Sequence, residues 1–257
     1  MKYFLICLTA FLVSGLTLFS GFGLGTILMP VLALFFPVGT AIALAAVVHL
    51  ANNLFKLALL GKHADRAIIY KFGVPAILAA YAGAEVLLWL SHLRPLVTYQ
   101  LWGRSLQVMP LKLVVASLMV LFALVEISPR LANFSLDPKY LPLGGVLSGF
   151  FGGLSGHQGA LRSVFLLRCG LSKEGFIGTG VVIACLVDFS RLLVYRGSFL
   201  AGAVAGEGLL LAATVLAAGS GAFLGNRLLQ KVTMRFIQTL VGLMLFGIAL
   251  GLGMGLI

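Results

Sequence analysis

Apolar side chains run through this chain in ten stretches, 3–20, 23–36, 40–60, 72–90, 110–128, 141–154, 160–169, 176–195, 203–224 and 236–257, parted only by charges, proline or glycine. The hydrocarbon core of a bilayer takes about 20 helical residues. A chain of 257 residues with 61% hydrophobic and only 10% charged side chains therefore reads as an all-α, polytopic membrane protein of about 8–10 transmembrane or half-spanning helices. No polar stretch is left over for a separate soluble domain. The formal charge of +11 would suggest nucleic acid in a soluble protein, but here the Lys and Arg side chains flank apolar runs. That pattern is topology signal and contact with anionic lipid, and the partner is the bilayer rather than nucleic acid. Cys7, Cys169 and Cys185 stand far apart with no CxxC pair, so neither a disulfide framework nor a metal or cofactor site is expected. The amino-terminal run starts like a secretory signal after Lys2, but it continues to Phe36 without an A-x-A site and is read as mature protein.

The ten stretches fall into two sets of five in matching order. The segment ending Asn53-Leu54-Phe55-Lys56 aligns with Asp188-Phe189-Ser190-Arg191, 135 positions later. This is an internal duplication, with a first repeat over 1–128, a linker over 129–140 and a second repeat over 141–257. Corresponding loops carry opposite basic signals: Lys62, Arg66 and Lys71 follow the third segment of the first set, whereas Arg227, Lys231 and Arg235 follow the fourth of the second. Placing both in the cytoplasm makes the repeats inverted and both termini external, in a multi-pass protein of the inner cell membrane.

The first run of each repeat is broken by glycine. In 3–36 the interruption is Gly21-Phe22-Gly23-Leu24-Gly25, and Pro30 suits the first turn of a restarting helix. Irregular backbone at membrane depth survives only against protein or a hydrated cavity, so broken or re-entrant helices at these glycines mark a site. The second break, Gly156-His157-Gln158-Gly159-Ala160-Leu161-Arg162-Ser163, adds an imidazole, an amide, a guanidinium and a hydroxyl. A helix restarting after Gly159 aims free N–H groups at the gap, and Arg162 supplies a planar fork for oxyanions. A polar stripe follows in each repeat. His49, Asn52, Asn53 and Lys56 share one helix face, and Asp188, Arg191 and Tyr195 repeat it. Expected substrate contacts are Arg162, His157, Gln158, Ser163, Gly156, Gly159, Asn52, Asn53, Gly23, Gly25 and Arg191, with Asp188, His49 and the intramembrane Glu85 as coupling groups. Gly145, Gly149, Gly152 and Gly156, and likewise Gly247, Gly251 and Gly255, form glycine stripes for helix packing or a homodimer seam, and Gly202 with Gly206 and Gly221 with Gly225 are further close-packing pairs.

The paired pattern of glycine break, Pro30-Val31-Leu32 or Ser163-Val164-Phe165-Leu166, a turn at Pro37 or Leu171-Ser172-Lys173-Glu174, and a helix carrying Asn52-Asn53 or Asp188 resembles the TauE/SafE family of membrane transporters, the toluene sulfonate uptake permeases. The resemblance covers nearly the whole chain. It implies a secondary transporter, an exporter of a small anion such as sulfite, sulfoacetate or another organosulfonate, working by alternating access as one repeat rocks against the other. His157-Gln158 stand where other members carry glycines. Two other readings stay open: an anion channel or non-transporting scaffold, and an intramembrane serine hydrolase, since Gly153-Leu154-Ser155-Gly156 resembles the nucleophile motif of rhomboid proteases. Against the second, His157 is two residues from Ser155 and would point to a different side of a helix.

Overall fold

The computed structural model describes residues 1–16, 23–101, 103–128, 135–228 and 234–256. Gly21, Phe22, Trp102 and residues 129–134 of the linker lie outside them, as do Lys231 and the side chains of Glu126, Arg227 and Arg235. The chain is mostly helical: α1 (Lys2–Leu16), α2 (Leu24–Ala33), α3 (Val38–Leu60), α4 (Arg66–Ser91), α5 (Pro110–Ile127), α6 (Leu141–Ser155), α7 (Gly159–Leu166), α8 (Lys173–Tyr195), α9 (Ala201–Leu228) and α10 (Met234–Gly253). The stretches Val38–His63, Arg66–Ser91 and Lys173–Leu224, the last holding both α8 and α9, are long and apolar enough to cross a bilayer. By contrast α6, with 15 residues, reaches about 22 Å at 1.5 Å per residue, short of a core of about 30 Å, and α1 is described over Lys2–Leu16.

Helices α1 and α6 form hairpins with the shorter pieces that follow. The Lys2 ammonium lies over the Phe36 ring just beyond α2, so α2 returns beside the start of α1. The Phe165 ring near the end of α7 lies flat against Gly144 near the start of α6. Each hairpin turns at a glycine in left-handed conformation, Gly23 at φ 117° and Gly156 at φ 85°, a region that side chains with a Cβ avoid. Pro30 departs from expectation. Helix α2 restarts at Leu24, immediately after Gly23, and Pro30 sits inside it.

The helix pairs pack with defined directions. Gly145, Gly149 and Gly153 of α6 press on the Phe72, Ala76 and Ala80 carbonyls of α4, which makes the two helices parallel. Gly221 of α9 meets the Phe11 carbonyl of α1, and Lys2 pairs with Glu207 of α9, so α1 and α9 are parallel as well. Helices α3 and α8 are antiparallel: Gly178 near the start of α8 abuts the Leu60 carbonyl at the end of α3, and Gly39 near the start of α3 abuts Phe199 just past α8. One face of the bundle thus gathers the start of α1, the ends of α4, α8 and α10 and the starts of α3, α5 and α9. The end of α2 joins them; the other face gathers the starts of α4, α6, α8 and α10 and the ends of α3, α5, α7 and α9, and the hairpin tips lie between the two.

Several expectations are corrected here. The close-packed glycine face of α6 is 145/149/153 rather than 145/149/152/156, because Gly152 faces Gln158 and Val187 while Gly156 turns the chain. Gly247, Gly202 and Gly206 meet nothing, and Gly255 lies past α10 against Gln107, so the last stripe is not continuous. The fold is also not purely helical. An antiparallel hairpin, β1 (Val97–Leu101) with β2 (Arg104–Val108), closes through Gly103 at φ 72°. It covers the end of α10, where the Tyr99 hydroxyl donates to the Met254 carbonyl.

Candidate functional site

His49 is the middle residue of α3, and the two hairpin tips meet beside it. A Cβ on Gly25 would lie 3.4 Å from the Gly156 carbonyl oxygen and 3.6 Å from the His49 ring. Around this point the third helices of the two sets cross. The antiparallel packing of α3 and α8 brings His49 Nδ1 to donate to Asp188 Oδ2 at 2.6 Å, and Asn53 Nδ2 donates to the same oxygen at 3.4 Å. Gln158 Nε2, from the tip, donates to Asp188 Oδ1 at 3.0 Å. Arg191 Nη2 and Nε reach that oxygen at 2.7 and 3.1 Å. One carboxylate therefore joins α3, α8 and the α6–α7 tip.

Arg191 has a second task. The Gly152 carbonyl of α6 accepts from the Gly156 N–H, the carbonyls after it lie past the helix's own ladder, and in lipid no water can satisfy them. Arg191 Nη1 donates to the Gly152 carbonyl at 3.1 Å, and the Tyr195 hydroxyl donates to the Gly153 carbonyl. These two side chains of α8 act as the cap of a helix that ends inside the bundle. Three of the five N–H donors of Arg191 are thereby engaged in holding the frame.

Arg162, one turn into α7, donates to Gln158 Oε1 at 3.3 Å. It lies against Gly180 of α8, where a Cβ would come within 3.3 Å of its Nε, and within electrostatic range of Asp188 and Lys56. Lys56, which the stripe on α3 includes, is 3% exposed. Among the described residues the buried cations are Lys56, Arg162 and Arg191, and the single buried carboxylate is Asp188. The cluster is net positive by two with His49 neutral. Both helices leaving the tips add to this sign, since neither α2 nor α7 has a side-chain cap on its first N–H groups.

Among the described residues two buried polar atoms have no hydrogen-bond partner, Asn52 Nδ2 and His157 Nε2. Asn52 Oδ1 accepts from Ser14 Oγ of α1 at 2.7 Å, a fully buried hydroxyl that the sequence pattern did not single out. Ser148 of α6, also missed, donates to the Gln158 carbonyl at 2.9 Å and fixes the second tip. Replacing Ser14 by Ala leaves Asn52 Oδ1 buried without its donor and is expected to destabilise the protein by about 1–2 kcal/mol, read as a lowered melting temperature in detergent.

The structure does not bring every expected residue to the cluster. Glu85 is exposed on the outer face of α4, hydrogen-bonded to Tyr81 one turn earlier. Ser163 donates back to the Gly159 carbonyl of its own helix. His157 stands beside the cluster, its ring stacked parallel on Phe122 of α5 at 5.0 Å. The left-handed turn at Gly156 folds His157 back onto Ser155, with Nδ1 3.1 Å from Oγ, which corrects the expectation that the two point apart. The contact is not a catalytic dyad. Ser155 Oγ donates to the Phe151 carbonyl, so the neutral ring donates through Nδ1 and cannot take the hydroxyl proton. Its other nitrogen has no orienting partner. Among the described residues no group of His, Cys, Asp and Glu could hold a metal ion.

Apolar crossing helices, two half-length hairpins meeting tip to tip, and a buried electropositive cluster where they meet define a polytopic membrane protein built around a central polar site. Residues 5–252 match the family described as Sulfite exporter TauE/SafE, and the chain belongs to that family. Its members are membrane transporters for export of small anions such as sulfite, and the chain is not an enzyme. No curated protein and no solved structure matches the chain.

Proposed function

We propose that the chain is a secondary exporter of one small sulfur oxyanion, sulfite or an organosulfonate such as sulfoacetate, by alternating access around the meeting point of the two tips. The observation that carries this reading is the surplus of buried positive charge. Each cation at membrane depth costs about 2.5–3.5 kcal/mol on insertion scales, and Lys56, Arg162 and Arg191 are buried with the one buried carboxylate among the described residues, Asp188. An oxyanion seated between the uncapped starts of α2 and α7 would meet a field of that sign and accept from their N–H groups. Arg162, Gln158, Asn52 and Asn53, with Gly23, Gly25, Gly156 and Gly159 keeping the approach open, are the proposed contacts. His157 stands beside the site and, with its proton on Nδ1, has no donor to give an anion, while Arg191 holds the frame. The His49–Asp188 pair is the proposed coupling site for a proton. Nothing in the geometry favours Glu85 in that role.

The repeats are proposed to be inverted. Exchanging each helix for the one five places along maps the packed pairs onto themselves: α4 with α6 becomes α9 with α1, α4 with α8 becomes α9 with α3, and α3 with α8 and α5 with α10 return to themselves. The antiparallel run of α3 and α8 supports the inversion. By chain order Lys62, Arg66, Lys71, Lys139, Arg168, Lys173, Arg227 and Arg235 fall at the face where α3 ends, against Lys2, Arg94, Arg104, Lys112 and Arg196 at the other. That bias supports a cytoplasmic first face and external termini. A homodimer through the open glycines Gly202, Gly206 and Gly247 belongs to the same proposal.

Proteoliposomes loaded with sulfite should show saturable efflux with counterflow. Arg162→Ala should slow it by roughly a hundredfold, the worth of a charge-assisted hydrogen bond of about 3 kcal/mol, while Arg162→Lys recovers part of the loss. Equal flux in wild type and Arg162→Ala would remove Arg162 from the site, and ohmic current without counterflow would make the protein a channel.

A further inference from the structure

A cavity of about 450 Å³ opens at the face that holds the chain's start, lined by Pro37, Val38, Gly39 and Thr40 at the start of α3, by Ser91 and His92 after α4, by Met109, Leu111 and Lys112 at the start of α5, and by Phe199. None of these residues belongs to the central cluster. The lining carries Lys112 and His92 and no carboxylate, and the exposed Arg196 lies three residues before Phe199.

Two helix faces lead from this cavity to the cluster. On α3 they are Gly39, Ile42, Ala46 and His49, spaced three, four and three residues apart, all buried. On α8 and the wide turn after it, Arg196–Leu200, they are Asp188, Arg191, Tyr195 and Phe199. Because α3 and α8 run antiparallel, Gly39 meets Phe199 at one end of the seam and His49 meets Asp188 at the other, about 15 Å apart at 1.5 Å per residue. The Phe199 ring sits where a Gly39 Cβ would be, 2.5 Å from that position. It also packs edge-on against Tyr195, with ring centroids 6.1 Å apart. Tyr195 is fully buried and tied to the Gly153 carbonyl.

We propose that this cavity is the mouth of the anion path on the external side and that Phe199, seated on Gly39 and backed by Tyr195, is the closed gate between mouth and cluster. The proposal rests on the transport reading for what passes through, but the seam itself can be tested without any substrate. The wide turn carrying Phe199 has weaker helical pairing than the helices on either side, so the ring can leave Gly39 without unwinding α8. Lys112 and His92 give the mouth the sign that draws a small anion in.

The test uses the full chain in proteoliposomes with its three native cysteines replaced by serine, and a membrane-impermeant, negatively charged methanethiosulfonate reagent. Thr40→Cys, in the mouth, should react. Ala46→Cys, behind the gate, should be protected while Phe199 is present. It should react roughly tenfold faster or more in Phe199→Ala, since a closed gate keeps the open form at no more than about a tenth of the population. Gly39→Ala, whose methyl displaces the same ring without removing it, should expose Ala46→Cys in the same way and covers the case in which Phe199→Ala fails to fold. Ala46→Cys that stays protected in both variants, or that reacts as fast as Thr40→Cys with Phe199 and Gly39 intact, would overturn the gate. Exposure of Ala46→Cys together with no anion flux in any variant would leave the gate standing and count against the transport reading instead.

Discussion

Asp188→Asn should be the most damaging single substitution in the molecule, lowering stability by about 3–5 kcal/mol and abolishing transport. Asp188 is fully buried and accepts from His49, Asn53, Gln158 and Arg191. The amide keeps the size but removes the charge, so the cluster rises from a surplus of two positive charges to three at membrane depth. It also presents an N–H₂ group to donors. The Arg191 guanidinium then loses its counter-charge while still held at Gly152, and the cap on α6 loosens with it. Thermal unfolding in detergent, followed with and without saturating sulfite, measures the first effect. A bound anion should return part of the lost stability, because it supplies negative charge to the same cations. A melting temperature equal to wild type would mean that the carboxylate is not the hub of this network.

The second large effect comes from packing. Gly149→Leu should prevent the bundle from assembling, because a Cβ at this position would lie 2.2 Å from the Ala76 carbonyl oxygen of α4. The clash is with backbone, which cannot rotate away, and the same ridge holds Gly145 and Gly153 at comparable distances. Overpacking of this kind costs about 1–3 kcal/mol or more, and here it also shifts the tip that carries Gln158, through the Ser148 contact one residue away. Gly219→Leu is the control. It meets nothing within reach and should leave the yield of folded protein unchanged. Loss of folded protein in both variants would assign the effect to glycine content rather than to this interface.

Much of the architecture was legible because lipid imposes simple rules. Apolar run length located the helices, and glycine clusters located the breaks. The i, i+3, i+4, i+7 spacing on α3 put His49, Asn52, Asn53 and Lys56 on one face, where His49 and Asn53 meet Asp188 of α8 and Asn52 meets Ser14 of α1. What a one-dimensional pattern lacks is the direction in which an isolated polar residue points. Glu85 sits well inside an apolar run yet faces outward, and nothing around it in sequence distinguishes the two faces of α4. Ser155 and His157 come together only because Gly156 takes φ 85°, a backbone state open to any glycine and announced by none. The polar stripe made Arg191 an expected substrate contact, but its role in capping α6 depends on a helix end brought from 39 residues away in sequence. The β-hairpin did leave a trace, since Val97-Thr98-Tyr99 is rich in β-forming residues and Gly103 is a turn residue.

The intertwined pairing of α4 with α6 and α1 with α9 bears on how such a molecule could change shape. Each half-length hairpin leans along a long helix contributed by the opposite end of the chain, through glycines set directly against backbone. A sliding surface cannot lie there without tearing the tightest interfaces present. The parts that travel together therefore mix early and late sequence, and severing the polypeptide between 128 and 141 should yield two pieces that solubilise only when made in the same cell.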